Sequence, residues 1–219
     1  MKGRYAVPAL VACLIVSLLS GDLRLDRPLP AGGSDLMIQY DDGTAMWLTW
    51  TGLYRMVWFD IDDFAPGQYA NQVFSSEFWF YHSPTCQWDT SSFLAELYSG
   101  DESGPAIQHD QTSTLALHYS PVTVSYGSGG IFLMTPDFFL IDNTEMSCGG
   151  WPSLMGDNSP ADVCHSFHSD DFIKWDPWIV GGSSAHDYII RAQVAIFGLD
   201  ETTWGGIKAL YYTQHRGGR

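Results

Sequence analysis

The sequence predicts an all-β protein, an antiparallel β-sandwich or jelly roll. Three observations carry that prediction. Short runs of β-branched and aromatic residues alternate with period two. Turn formers separate them, as APGQ, GDESGP, GSGG, CGGWP, GDNSP and GGSS. No segment before residue 200 has a helical period of apolar residues.

Taken in order, residues 1–21 (MKGRYAVPALVACLIVSLLSG) join a basic start at Lys2 and Arg4 to an apolar run and small residues at Ser20 and Gly21. This is the layout of a secretory signal peptide. The run is shorter than the ~20 residues of a bilayer span, and no later segment approaches that length, so no membrane span is expected after cleavage. Residues 22–35, rich in Pro, Gly and charge, form a linker. The β-sandwich domain is expected over 36–198. It opens with YDDGT (40–44), where Asp-Gly between strand-like runs is a hairpin-type turn signal.

In the next run Tyr54, Met56 and Trp58 alternate with Arg55, Val57 and Phe59. In 72–81 Phe78 and Phe80 share one face, and Glu77, Trp79 and Tyr81 the other. In 93–98 Phe93, Ala95 and Leu97 oppose Leu94, Glu96 and Tyr98. PVTVSY (121–126), IFLM (131–134) and DFFLID (137–142) are further strands. In DYIIRAQVAIF (187–197), Tyr188, Ile190, Ala192, Val194 and Ile196 line one face, with Arg191 and Gln193 on the other. Residues 199–219 form a C-terminal tail.

Net charge is −15, and Arg55 to Lys174 encloses no Lys or Arg. Nucleic acid needs a basic patch, so it is excluded as a partner, as is docking on anionic lipid. Once the signal is removed, Cys86, Cys148 and Cys164 remain. Export exposes them to oxidising conditions, and Cys148–Cys164 is the expected disulfide because the pair brackets one loop-rich segment.

YDDGT (40–44), LAELYSGDESGP (94–105) and DYIIRAQV (187–194) together resemble β-sandwich accessory modules of secreted multidomain bacterial proteins. The resemblance spans about residues 36–197. It implies a domain similar in architecture to carbohydrate-binding jelly rolls, while the signal segment sets the expected location as secreted, periplasmic or cell-surface.

Four kinds of chemistry have candidate residues. Hard cations take loop carboxylates, and Asp41, Asp42, Asp60, Asp62 and Asp63 could hold a structural calcium, with Asp157, Asn158 and Asp162 and then Asp170 and Asp171 as further candidates, although the glycine-punctuated calcium-loop spacing is missing. Glycoside hydrolysis needs two carboxyls ~5–9 Å apart. Glu77 and Glu96 fall opposite one another if 72–81 and 92–98 form a symmetric hairpin. Sugar binding without catalysis needs exposed aromatic faces. Among nine tryptophans, Trp79 with Tyr81 is the favoured pair, joined by Tyr98, Trp88 and Trp151. The histidines show no zinc-ligand spacing, and no G-x-S-x-G elbow supports a serine hydrolase. The leading expectation is a non-catalytic binding module with weak polysaccharide recognition. A structural or adhesion protein of the cell envelope comes next, then a jelly-roll glycoside hydrolase.

Overall fold

The computed structural model describes residues 35–49, 51–68, 70–82, 92–147, 151–182 and 184–197. Along them run β1 (Leu36–Ile38), β2 (Ala45–Thr49), β3 (Tyr54–Asp60), a one-turn helix α1 (Ile61–Phe64), β4 (Ala70–Tyr81), β5 (Ser92–Asp101) and β6 (Gly104–Leu115). They continue with β7 (Pro121–Ser125), β8 (Ile131–Leu133), β9 (Asp137–Asn143), β10 (Ser153–Asp157), β11 (Ser166–Ser169), β12 (Asp176–Pro177), β13 (Ile179–Val180), β14 (Ser184–Ala185) and β15 (Ile190–Phe197). The signal segment, residues 22–34 of the linker and the 199–219 tail lie outside the described residues. No described helix is long and apolar enough to cross a membrane.

Two antiparallel sheets pack face to face as a β-sandwich. One has the order β1-β15-β4-β10-β2, with β7 and β8 also paired to β4; the other runs β12-β11-β3-β9-β5-β6. The alternation in sequence fixes most of the side chains that meet between them, and a bulge in β4 between Val73 and Ser75 brings Val73 to the face of Phe78. Val73, Phe78, Phe80, Ile190, Ala192 and Val194 come from the first sheet, and Val57, Phe59, Ala95, Leu97, Phe138 and Leu140 from the second. Each such large side chain stabilises the fold by roughly 1.5–3 kcal/mol through removal from water. The core also encloses an ion pair. Arg55 Nη1 donates to Asp142 Oδ2 at 2.7 Å and to the Pro152 carbonyl at 3.0 Å, and both charged side chains are fully buried.

Both sheets are also covered on their outer faces. Trp79, Met155 and Ile189 cluster outside the first sheet, and Tyr54, Met56, Phe139 and Ile141 outside the second. Period two distinguishes the faces of a strand, but not whether a loop or neighbouring strand will cover the outer one.

The topology corrects the hairpin expected at YDDGT. β1 pairs with β15 and β2 with β10, so the strands flanking Asp41-Asp42-Gly43 lie at opposite ends of one sheet. The stretch spans the sheet end instead of folding its flanks together. The turn chemistry that the sequence suggested is kept: Asp41 accepts the Gly43 N–H, Asp42 accepts the Thr44 N–H, and Gly43 lies at φ 81°. Cys164 corrects the disulfide. It is a free thiol whose S–H donates to the Ser166 carbonyl at 3.2 Å, and Cys148 lies outside the described residues.

Candidate ligand-binding surface

Glu77 and Glu96 do not form a pair. Glu77 in β4 is in register with Arg191 and Thr123, whereas Glu96 in β5 is in register with Gln111 and Ile141. Their chain neighbours Phe78, Ala95 and Leu97 point into the core. The two carboxyls therefore project from opposite outer faces of the sandwich, and stacked sheets alone are ~10 Å apart. They cannot straddle a glycosidic bond.

Trp79 is also displaced from its expected role. It occupies the predicted outer face, but Met155 and Ile189 pack against it and leave it 7% exposed. Its neighbour Tyr81 reaches further. The Tyr81 ring meets His118 edge-on at 5.0 Å and Tyr119 at 5.6 Å, while His118 and Tyr119 are 4.3 Å apart. Tyr119 is 44% exposed and has φ 50°, a left-handed conformation that costs a residue with a Cβ about 1–2 kcal/mol. The bond from its N–H to the Phe80 carbonyl, 3.0 Å, ties that conformation to the end of β4. His118 Nδ1 accepts the His82 N–H at 3.2 Å, so the neutral ring carries its proton on Nε2. The result is an exposed phenol face beside an imidazole donor.

Of the other aromatic candidates, Trp151 is half-buried ahead of β10 and Trp88 lies outside the described residues. Tyr98 belongs to the outer face of the second sheet. There the ring of Phe172 is surrounded by Tyr54 at 5.0 Å, Tyr98 at 5.3 Å and Trp175 at 5.3 Å. Phe172 too is left-handed, at φ 62°. On the same face Glu96 Oε1 accepts the Asn143 amide at 3.0 Å, while its buried Oε2 accepts no hydrogen bond. Tyr54 donates to Glu145 at 2.8 Å. Burial, then the Glu145 contact, pushes the Tyr54 phenol up to about 12, and burial does the same to Tyr98. Burial likewise raises the Glu96 carboxyl, against the pull of Asn143.

The five aspartates proposed first for calcium each have a protein partner. Asp41 takes two bonds from Arg191, at 2.6 and 3.0 Å. Asp42 accepts the Thr44 N–H and the Ser159 hydroxyl. Asp60 caps α1 by accepting the Asp62 N–H, Asp62 accepts the Gly67 N–H, and Asp63 accepts the Tyr40 hydroxyl at 2.7 Å. Asp63 also faces His165 at 3.3 Å, whose ring stacks on Tyr40. Among the described residues no group of three or more His, Cys, Asp and Glu side chains is placed to hold a metal ion.

A different acidic centre forms where Asp42, Asp157 and Asp187 meet. Asp157 accepts the Asp187 N–H on Oδ1 at 3.1 Å and the Asp42 N–H on Oδ2 at 3.3 Å. His186 Nδ1 lies 3.7 Å from the same carboxylate. Burial pushes Asp157 up to about 7 and Asp187 up to about 6, with the charge of Asp187 adding to the first and that of Asp41 to the second.

No family model, no curated protein and no solved structure matches the chain. Function therefore has to be argued from these surfaces. The sequence pattern points to Tyr81, Tyr98 and Glu96; it carries no signal for His118, Tyr119 or Phe172 and does not separate Trp175 from the other tryptophans. Glycine is the usual mark of a left-handed backbone, and neither Tyr119 nor Phe172 carries it.

Proposed function

We propose that this domain is a non-catalytic binding module, secreted or displayed at the cell surface, that recognises polysaccharide weakly. The observation that carries this reading is the exposed Tyr119 ring, held in a strained backbone against Tyr81 and His118. A pyranose stacks its apolar face on such a ring, and its hydroxyls take hydrogen bonds from an imidazole N–H and a phenol. One platform of this size gives weak binding, consistent with modules that act in several copies or beside a larger partner. The resemblance to accessory modules of secreted bacterial proteins supports the same reading. The hydrolase alternative is left without its carboxylate pair, because Glu77 and Glu96 sit on opposite outer faces.

Glycan-array binding of the wild type and of Tyr119→Ala tests the proposal. Signal on a glycan class that falls at least about tenfold in the variant is the expected result. Equal signal from both proteins places the sugar elsewhere. No signal on any glycan overturns the reading and favours a structural or adhesion role in the envelope. Trp79→Ala is unsuitable for this purpose, since Trp79 is buried and its removal tests packing.

A further inference from the structure

The outer face of the second sheet combines three features that packing alone does not require. Three aromatic rings, Tyr54, Tyr98 and Trp175, stand around one position, which the Phe172 ring now fills at centroid distances of 5.0–5.3 Å. Glu96, on the same face, is 3% exposed and has a carboxylate oxygen with no hydrogen-bond partner. Glu145 adds a second carboxylate, bonded to the Tyr54 hydroxyl. The described Lys and Arg side chains pair with other acids: Arg55 with Asp142, Lys174 with Asp176 and Arg191 with Asp41.

Aromatic faces carry negative potential, and rings grouped around one position on the same face as a buried carboxylate make a site for an organic cation. Phe172 is the residue best suited to leave. Its backbone is at φ 62°, and the next residue, Ile173, is 84% exposed. The turn is held by short-range bonds, from the Phe172 N–H to Ser169 Oγ and from the Ile173 and Lys174 N–H groups to Asp171 Oδ1.

We propose that Tyr54, Tyr98 and Trp175, together with Glu96 and Glu145, form an aromatic cage for a small alkylammonium cation, with Phe172 as its built-in occupant. A trimethylammonium group is comparable in size to the phenyl ring it displaces. Its charge compensates the Glu96 carboxylate that protein donors leave half-satisfied. This site is separate from the Tyr119 platform and does not depend on the sugar reading.

Phe172→Gly tests it directly, because glycine adopts the left-handed backbone without strain while emptying the cage. Calorimetric titration with tetramethylammonium and with choline, in the full chain, is compared with 3,3-dimethyl-1-butanol, the neutral isostere of choline. The variant should bind the cations at least about tenfold more tightly than the wild type and the isostere at least about tenfold more weakly than choline. Adding Glu96→Gln should abolish most of that gain. Equal affinity for choline and its isostere, or no gain over the wild type, overturns the proposal. Near-UV circular dichroism checks that the variant is folded. If it is not, the shift of the wild-type melting temperature by tetramethylammonium decides, and no shift at saturating cation overturns the proposal.

Discussion

Arg191 grips both carboxylate oxygens of Asp41 from 150 residues along the chain, at 2.6 and 3.0 Å, and both side chains are buried. This contact fixes the stretch between β1 and β2 to β15. The neighbouring Asp42 N–H extends the attachment to Asp157 on β10. The sheet end is thus held by polar contacts to strands that the Asp-Asp-Gly stretch passes.

Removing one partner of such a buried pair takes away the other's two hydrogen bonds and a close counter-charge. Asp41→Ala should cost about 3–5 kcal/mol of unfolding free energy. Urea unfolding followed by tryptophan fluorescence measures it. The double replacement Asp41→Leu with Arg191→Met should recover part of the loss, because neither charge then remains. A loss below about 1 kcal/mol in Asp41→Ala would show that water already screens the pair.

The Asp157–Asp187 centre predicts an unusual pH dependence. Their carboxyls lie at about 7 and about 6 in the fold, against an ordinary 3.8. The folded protein therefore holds protons that the unfolded chain has released. The stability these groups contribute is fully present below the ordinary value and is lost as pH rises through about 6 to 7. The melting temperature should fall between pH 5 and pH 8. Asp187→Asn keeps an acceptor for Ser166 and removes a charge beside Asp157. It should stabilise the protein at pH 8 by about 1–3 kcal/mol and flatten the profile. A wild-type melting temperature that stays level or rises over that window is the contrary outcome.

Much of the architecture was legible because burial writes period two into a strand. The inward faces of 54–59, 93–98 and 187–197, and of 72–81 on the Phe78 side of its bulge, pack into the core as their alternation requires. Partnership was not legible. The period of β4 is the same whether its neighbour is β5 or β15, so it does not distinguish a Glu77–Glu96 hairpin from the observed Glu77–Arg191 register. β6 went unread because it is an edge strand, exposed along most of its length, and has no apolar face to reveal it. The outer clusters depend on residues distant in sequence, as when Ile189 and Met155 cover Trp79.

Gly156 is the clearest steric prediction. A Cβ at that position would overlap the Trp178 indole, which lies over β10 and stacks on Tyr188 at 4.5 Å. Trp178 is 6% exposed within the core and has little room to retreat. Gly156→Ala should cost about 1–3 kcal/mol by overpacking, and Trp178→Ala about 3–5 kcal/mol by loss of a large buried side chain. The double variant should be less destabilised than the sum of the two, because the alanine methyl then enters vacated space. Thermal melts of the four proteins measure the coupling, and strict additivity would place the indole elsewhere.

Tyr119 should separate stability from binding. Its φ of 50° is strained for tyrosine and ordinary for glycine, and the N–H bond to the Phe80 carbonyl belongs to the backbone. Glycine there relieves the strain, but it also loses the ring contacts with Tyr81 and His118 and widens the freedom of the unfolded chain. These effects oppose one another, so Tyr119→Gly should lie within about 1 kcal/mol of the wild type. Tyr119→Ala loses the same ring and keeps the strain of a Cβ at positive φ, so it should be the less stable of the two by about 1 kcal/mol. Both should lose the glycan signal equally, because both lack the platform. Denaturant titration of the three proteins, run beside the array, checks the two halves separately. If Tyr119→Gly were no more stable than Tyr119→Ala, the left-handed backbone would not be the source of strain at this position. If the glycine variant kept the glycan signal, the ring would not be the platform.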